Sequence, residues 1–311
     1  MTDRVSSIQP SDERHVFLCA DSNYVMPLAV TLRSLAESQT APEVLRITVL
    51  SVGISSRDQE RVRESVPTLA LNFIPIDDLL PSSLPTMRNL NRATYGRLYG
   101  VDLLPPHVDR AVYLDADTIA CDDLEFLFSF DLDGAPIAAA QDLTAPFISV
   151  APCQTQWRAA GISPHAPYMN AGVLAIDTAA WRQRDLGSLI IDAAFRYRDS
   201  IRVADQDGFN IALAGEFARL PARWNAGTSL RRPAPHFGYA LFGEDEIDSA
   251  VEDPAIIHFW GGQKPWHWGC PDSAASSWLD LVSRTAFRGF RLPSRPMKQI
   301  LVAAGRRVLR V

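Results

Sequence analysis

Two carboxylates stand two residues apart directly after a short apolar segment. Asp115 and Asp117 follow residues 111–114, which read Ala-Val-Tyr-Leu. In an extended segment, such alternate side chains project to the same side of the chain. Carboxylate oxygens suit Mg²⁺ or Mn²⁺, and these ions commonly also bind phosphate oxygens. The spacing alone is also compatible with a solvated surface loop, because short acidic motifs are frequent by chance.

A histidine closes a second apolar segment late in the chain. His258 follows residues 255–257 and precedes Gly261 and Lys264. Its imidazole is a candidate third metal ligand, and a nitrogen ligand favours Mn²⁺ over Mg²⁺. The glycine allows close backbone approach, and Lys264 offers a compact positive charge to a phosphate. The alternative for a histidine at the end of a strand is a structural role in hydrogen bonding.

Polar residues elsewhere in the chain could act on the same ligand. Asn170 precedes a turn of small residues, and Asp205 and Gln206 lie at the predicted start of a helix. The alternative role of Asp205 is that of an N-cap, whose side chain accepts from the first backbone N–H groups of a helix. For Arg97 the alternative is an ion pair with a surface carboxylate.

The elements that would hold these residues alternate between strand and helix. Apolar segments predict strands at 15–20, 45–50, 71–76, 111–114, 136–141, 172–176 and 255–258, and helical patterns occur at 24–37, 57–65, 91–101, 178–198 and 206–214. This alternation indicates an α/β domain with a largely parallel sheet. Ligands bind such sheets at the carboxyl ends of strands, where Asp115, Asp117 and His258 fall. Residues 143–167 are predicted to form a long loop of the kind that shapes binding sites.

The composition limits the classes of protein to consider. The chain has 311 residues, 47% hydrophobic and 21% charged, which predicts a sizeable core in one large domain or two small ones. A net charge of −6 argues against a nucleic-acid partner. No apolar run reaches the roughly 18 residues of a membrane-spanning helix, and residues 1–15 lack the apolar stretch of a signal peptide, so a cytoplasmic location is expected. The four cysteines are isolated from one another, which argues against zinc and a disulfide framework.

Taken in order, the motifs resemble those of glycosyltransferase family 8. The resemblance covers residues 16–266 and rests on five ordered blocks: ADSNY (20–24), RATYGRL (92–98), YLDADT (113–118), YMNAGVL (168–174) with DQD (205–207), and HFWGGQKPW (258–266). It implies a GT-A fold, an α/β nucleotide-sugar-binding domain around a mixed, mainly parallel central sheet. It also implies a UDP-sugar donor and a Mn²⁺ ion, with Mg²⁺ as the alternative.

The resemblance assigns roles to individual residues. The metal ligands would be Asp115, Asp117 and His258. The residues that bind the nucleotide and its diphosphate would be Ala20, Asp21, Asn23, Tyr24, Arg97, Asp115, Ala116, Gly261 and Lys264. The catalytic residues around the transferred sugar would be Asp142, Asn170, Asp205 and Gln206.

The expected reaction is retaining transfer of a galactose or glucose to a glycan or lipid-linked acceptor, such as lipopolysaccharide or another cell-surface glycan. Gln206 would lie near the reacting carbon, but an amide is a poor nucleophile. We therefore expect the acceptor to attack the sugar on the same face from which the leaving group departs. One alternative is a sugar nucleotidyltransferase, although the first strand leads into ADSNY rather than into a Gly-rich phosphate loop. The other is a non-catalytic nucleotide-sugar-binding protein on the same scaffold.

Charge is distributed unevenly along the chain. Eight of the 30 Arg and Lys residues, and none of the 36 Asp and Glu residues, follow Ser283, so residues 1–283 carry a net charge of −14 and residues 284–311 one of +8. We predict a catalytic domain over 1–283 and a basic amphipathic extension over 284–311. Basic residues interleaved with aliphatic and aromatic ones suit an anionic lipid surface, so peripheral contact with the inner face of the cell membrane is expected. The alternative is a helix that packs on the acidic body.

Overall fold

The structure, a computed structural model, describes residues 12–85, 92–151, 156–231 and 239–294. The strands in these ranges are β1 (Arg14–Asp21), β2 (Leu45–Val52), β3 (Ala70–Pro75), β4 (Arg110–Leu114), β5 (Thr118–Ala120), β6 (Ile137–Gln141), β7 (Met169–Asp177), β8 (Ala218–Leu220), β9 (Ala226–Gly227) and β10 (Ile256–His258). The helices are α1 (Val25–Ser38), α2 (Ser56–Ser65), α3 (Arg97–Leu103), α4 (Glu125–Ser129), α5 (Gln156–Ala159), α6 (Thr178–Arg184), α7 (Leu186–Arg196), α8 (Ala204–Leu213), α9 (Tyr239–Phe242), α10 (Glu244–Glu252) and α11 (Ala275–Ser283).

Seven strands form the central sheet in the order β3-β2-β1-β4-β7-β6-β8. The strands β3, β2, β1 and β4 pair in parallel, as do β6 and β8, whereas β7 runs antiparallel to both of its neighbours. A smaller sheet has the order β5-β10-β9. The expected α/β fold with a mixed, mainly parallel sheet is therefore confirmed.

The central sheet separates two hydrophobic layers. Val16 and Leu18 of β1 pack on the layer that contains α1 and α11, and Phe17 between them packs on the layer that contains α3, α7 and α8. Alternate side chains of a strand point to opposite faces. Because β1 is covered on both faces, its residues are apolar almost without interruption, as is typical of central parallel strands.

Three local predictions differ from the structure. The segment 178–198 forms two helices rather than one, because Asp185 adopts a left-handed conformation (φ 47°) that ends α6 and begins α7. Residues 92–96 form a 3₁₀ helix before α3, and residue 91 lies outside the described ranges. The segment 115–117 is not extended. It forms a turn between β4, which ends at Leu114, and β5, which begins at Thr118.

The chain continues to pack on residues of the preceding domain beyond Ser283. Phe287 is buried in the core, with the Arg61 guanidinium 3.9 Å from its ring centroid. The backbone N–H of Ala286 donates to Ser65 Oγ at 3.0 Å, and the ring of Phe290 lies edge-on to Trp278. The boundary at 283 thus stays a prediction.

Two further expectations concern residues near or beyond the described ranges. Residues 295–311, with most of the predicted basic extension, lie outside them, as does Cys153, whereas Cys19, Cys121 and Cys270 are reduced. Among the described helices, none has the length and hydropathy needed to cross a bilayer.

Candidate active site

A cavity of about 340 Å³ opens at the carboxyl ends of β1 and β4. Its lining includes all but one of the predicted site residues, namely Ala20, Asp21, Tyr24, Arg97, Asp115, Ala116, Asp117, Asp142, Asn170, Asp205, Gln206, His258, Gly261 and Lys264. Asn23 is the exception. It is exposed, and its side-chain amide lies 3.4 Å from Asp21 Oδ2 on the outside of the turn.

At one end of the cavity, Asp21 shapes the turn between β1 and α1. Its Oδ1 accepts the backbone N–H groups of Asn23 (2.8 Å) and Tyr24 (3.2 Å), which fixes the chain as it leaves the strand. The ring of Tyr24 lies edge-on to Trp266, with centroids 5.7 Å apart. Burial raises the pKa of Tyr24, so its hydroxyl stays protonated at neutral pH.

In the middle of the cavity, Asp115, Asp117 and His258 converge. The antiparallel pairing of β10 with β5 places His258 opposite Thr118, beside the turn that carries both carboxylates. His258 Nε2 lies 3.2 Å from Asp117 Oδ1 and 3.6 Å from Asp115 Oδ2, and one ligand atom from each residue falls within 4.8 Å of the others. Two carboxylates and one imidazole form a donor set that fits Mn²⁺.

The charge of Asp117 is balanced by two neighbours. Burial alone would raise its pKa, but Lys264 and His258 together hold the pKa of Asp117 below its usual range. Lys264 Nζ lies 2.5 Å from Asp117 Oδ2 and donates to the carbonyl of Phe259 at 2.6 Å. Lys264 therefore occupies one oxygen of Asp117 and leaves Oδ1 facing His258.

At the other end of the cavity, Asp142 presents one oxygen to a ligand. Its Oδ1 accepts from the backbone N–H of Thr144 (2.8 Å) and from the Thr144 hydroxyl (2.6 Å). From the described part of the chain, its Oδ2 receives only long contacts, at 3.5 Å, from the side-chain amides of Asn170 and Gln206. A carboxylate oxygen held in this way can accept a hydrogen bond from a ligand hydroxyl.

Arg97 contacts two of the carboxylates that line the cavity. Its guanidinium is buried and lies 3.0 Å from Asp115 Oδ1 and 2.8 Å from Asp205 Oδ2. It also donates to the carbonyl of Ala171 and lies over the ring of Tyr113. Burial raises the pKa of Asp205 to about 6 even though Arg97 opposes this effect. Arg97 thus pairs with carboxylates on both sides instead of with a surface residue.

A family model described as glycosyl transferase family 8 matches residues 15–270, which is most of the chain. The chain belongs to glycosyltransferase family 8. General stress protein A of Bacillus subtilis (strain 168) is 26% identical over 262 residues, covering 81% of this chain and 87% of the relative. The lipopolysaccharide 1,2-glucosyltransferase of Escherichia coli (strain K12) is 25% identical over 272 residues, covering 85% and 76%.

Solved structures show the same fold as this family 8 chain. A crystal structure of the galactosyltransferase LgtC in complex with donor and acceptor sugar analogs superposes with a TM-score of 0.68 at 24% sequence identity, covering 91% of this chain and 98% of LgtC. At this level of sequence identity, the structural similarity supports the fold and not a function. It confirms the expected GT-A architecture.

Several residues at this family 8 site were assigned no role from the sequence. Tyr113, Tyr168 and Trp260 line the cavity and stand within the recognised blocks, so their positions were available although no role was assigned. Thr144 binds Asp142, and Asn225 contacts His258 at 2.8 Å. Asn225 ends a short 3₁₀ helix outside every block, and no sequence signal marks it.

A second group of potential metal ligands lies at the opposite end of β1. Glu13, His15 and His107 have ligand atoms within 4.8 Å of one another. His107 is exposed, and Arg46 Nε holds Glu13 Oε1 at 2.9 Å. An ion-pair cluster accounts for this group, and it lies outside the cavity lining.

Proposed function

We propose that this family 8 glycosyltransferase moves a hexose, galactose or glucose, from a UDP-sugar to a glycan or lipid-linked acceptor and retains the anomeric configuration. One observation carries the proposal. A single cavity joins the convergent Asp115, Asp117 and His258 to a cluster of carboxylates and amides at Asp142 and Gln206. A metal-ligand cluster suits a diphosphate, and the second cluster suits the hydroxyls of a sugar.

The nucleotide end of the cavity fits a UDP group. Asp21 and Tyr24 would contact the uracil, where Tyr24 is held in place by Trp266. Lys264, on a segment that Gly261 allows to turn with a φ of 88°, would bind the diphosphate. A bound Mn²⁺ would supply further positive charge to stabilise the departing diphosphate.

The sugar end fits a neutral hexose better than an acidic one. Asp142 Oδ2 and the amides of Asn170 and Gln206 can bind sugar hydroxyls, whereas a sugar carboxylate would meet the negative charge of Asp142. The similarity to the lipopolysaccharide glucosyltransferase of E. coli supports a hexose and does not decide between galactose and glucose.

The surroundings of Gln206 favour attack by the acceptor itself. Gln206 Oε1 accepts the backbone N–H of Ala171 at 3.2 Å, so the amide oxygen is already engaged and is a poor nucleophile. As the bond between C1 and the phosphate oxygen breaks, the acceptor hydroxyl oxygen forms its bond to C1 on the same face. The acceptor proton passes to the leaving phosphate oxygen, so no separate base is required.

The acceptor is proposed to bind beside the segment 143–167. The described residues of this segment pack on a small core that includes Ile148, Ile162 and Ala193 of α7, and a bridge joins Phe147 to Pro167. Thr144 and Ala145 of the same segment line the cavity, next to the proposed sugar position. We further propose that the enzyme acts at the inner face of the cell membrane, where the basic extension would contact anionic lipid.

UDP release from a panel of UDP-sugars tests the proposal. With Mn²⁺ we expect release from UDP-galactose or UDP-glucose and little from UDP-galacturonic acid, and slow hydrolysis by water counts as turnover. Asp117→Asn should abolish the Mn²⁺-dependent release because it removes a ligand, whereas Asp280→Asn, at an exposed carboxylate on α11, should not. Release that is independent of both Mn²⁺ and Asp117, or an inverted product by NMR, would contradict the proposal.

A further inference from the structure

Three buried side chains connect the sugar end of the cavity to the metal ligands. Asn170 Oδ1 accepts the backbone N–H of Gly172 at 3.0 Å and the Asn225 side-chain amide at 2.9 Å. Asn225 Oδ1 in turn lies 2.8 Å from His258 Nδ1. The three side chains belong to residues that are only 6%, 2% and 4% exposed, respectively, so bulk water cannot replace these contacts.

The direction of each hydrogen bond in this chain follows from its first member. A backbone N–H can only donate, so the atom of Asn170 that meets Gly172 N–H is its oxygen. That oxygen can only accept, so Asn225 must turn its NH₂ group toward it. The oxygen of Asn225 then faces His258, and Nδ1 of His258 must carry the hydrogen.

The consequence falls on the other nitrogen of the imidazole. In a neutral imidazole with hydrogen on Nδ1, the lone pair is on Nε2. His258 Nε2 is the atom that faces Asp115 Oδ2 and Asp117 Oδ1. The opposite tautomer would donate from Nε2 to a carboxylate and would have no lone pair to offer a cation there.

Steric contact limits how else the ring could be held. A Cβ atom at Gly172 would lie 2.2 Å from His258 Cε1 and 2.6 Å from Nδ1, so the imidazole lies directly against the backbone of β7. On its other side the ring of Trp260 lies 5.5 Å away, edge-on. Packing therefore confines the ring plane, and the bond to Asn225 decides which nitrogen faces the carboxylates.

We propose that Asn225 is a positioning residue that fixes the tautomer and orientation of His258 for metal binding, and that Asn170 fixes Asn225 through their shared hydrogen bond. The inference rests on the metal site of the proposed function. A partner that accepts the second N–H of a metal-binding imidazole typically contributes 10–100-fold to metal affinity. The same chain joins a residue proposed to contact the sugar to a residue proposed to bind the metal.

Mn²⁺ binding to the full chain without donor tests the inference, measured from the EPR signal of free Mn²⁺. Asn225→Leu keeps the branching at Cγ but removes both hydrogen bonds, so we expect Mn²⁺ to bind about 10–100-fold more weakly. Asn225→Asp keeps an acceptor for Nδ1–H and should retain Mn²⁺ affinity. Because a carboxylate cannot replace the NH₂ group toward Asn170, that variant should instead raise KM for the donor more than it lowers kcat.

Asn210→Leu is the matched control. Asn210 is also a buried amide against β7, where it bonds both the N–H (2.7 Å) and the carbonyl (3.0 Å) of Met169. Its loss should lower the free energy of unfolding and leave Mn²⁺ affinity unchanged. Equal loss of Mn²⁺ affinity in Asn210→Leu and Asn225→Leu would overturn the inference, because general loosening of the strand would then explain both.

A second readout needs no activity and no metal. In the ¹⁵N-histidine-labelled chain at alkaline pH, His258 should show the nitrogen shifts of the Nδ1–H tautomer, and Asn225→Leu should lose this preference. The Nε2–H tautomer in the unsubstituted protein would overturn the inference. If the unsubstituted chain binds no Mn²⁺, the metal site of the proposed function fails, whereas binding that is unaffected by Asn225→Leu refutes the role of Asn225 alone.

Discussion

Arg97 shows how a single buried charge organises this site. Its guanidinium lies between Asp115 and Asp205, and both its burial and its contacts with Ala171 and Tyr113 hold it in place. Without this cation, the buried carboxylate of Asp205 and the partly buried carboxylate of Asp115 would each lose a stabilising partner and would repel each other. Arg97 therefore stabilises the fold and also spaces the proposed metal ligand from the proposed sugar contact.

Replacing Arg97 should destabilise the protein in a way that a second substitution relieves. In Arg97→Met the carboxylate of Asp205 stays buried without its ion pair, so we expect the free energy of unfolding to fall by about 3–5 kcal/mol. Adding Asp205→Asn removes the unpaired charge and should recover part of this loss. Urea denaturation of the single and double variants measures the coupling.

The control for this cycle is an exposed ion pair of the same type. Arg184 binds Glu216 at 2.7 Å with both side chains substantially exposed, so Arg184→Met should cost no more than about 1 kcal/mol. If the effects of Arg97→Met and Asp205→Asn simply add, the two residues are not coupled and the bridging role of Arg97 is wrong.

Where the predicted residues stand in ordered motifs, the sequence indicated which side chains the fold brings together, while their roles stay predictions. Asp115, Asp117 and His258 were predicted together and meet in the structure within 4.8 Å. Asn225 could not be predicted, because its contact with His258 is created by tertiary packing between residues 33 positions apart. Asn23 stands in a motif but is exposed and does not line the cavity, and its side-chain amide lies 3.4 Å from Asp21 Oδ2.

A strand can shape the site through residues in its interior as well as through the residues that follow its carboxyl end. In β7, Gly172 lies beneath His258, and its backbone carbonyl accepts the N–H of Asp115 at 2.8 Å. A side chain at this position would occupy the space of the imidazole. A strand in the interior of the central sheet thus also sets the distance between the proposed metal ligands.

Gly172→Ala should therefore weaken metal binding. The new Cβ would lie 2.2 Å from His258 Cε1 and 3.0 Å from Asp115 Oδ2, so the imidazole or the strand must move. We expect Mn²⁺ affinity to fall by about tenfold or more, as for loss of a ligand's orientation. Isothermal titration of the full chain with Mn²⁺ measures the change.

Two glycines serve as controls for this substitution. Gly208→Ala crowds the contact of α8 with the carbonyl of Ile190 at 3.0 Å, remote from the metal ligands, and should affect stability alone. Gly289→Ala meets open space and should change neither stability nor Mn²⁺ affinity. Mn²⁺ affinity that is unchanged in Gly172→Ala, or lowered equally in Gly208→Ala, would show that the ring has room to adjust.

At the level of elements, length decided what could be predicted. The strands β1, β2, β4 and β7 were predicted because runs of five or more mostly buried residues show a clear apolar pattern. The strands β5, β8 and β9 have only two or three residues and were not predicted, whereas the equally short β10 was predicted from the apolar run at 255–257 that His258 ends. The break at Asp185 was missed because the left-handed conformation of one residue leaves the apolar pattern of its neighbours unchanged.

For the whole molecule, the charge asymmetry can now be divided into two parts. Within 284–294, Arg284 binds Glu37 and Asp280, and Phe287 is part of the core, so these residues stabilise the catalytic body. The remaining five basic residues of the chain's end, Arg295, Lys298, Arg306, Arg307 and Arg310, follow Ser294. A truncation meant to test membrane contact should therefore end at Ser294 and not at Ser283, because removal of Phe287 would damage the core itself.

Co-sedimentation with vesicles tests the proposed membrane contact. The full chain should pellet with phosphatidylglycerol vesicles and not with phosphatidylcholine vesicles, since each basic residue near an anionic surface contributes about 1 kcal/mol. Binding should weaken as salt is added, because salt screens exposed charges. The chain that ends at Ser294 should keep its thermal stability and its UDP release but lose vesicle binding. If it pellets as the full chain does, the extension is not the lipid contact; if it instead loses stability, the extension packs on the acidic body.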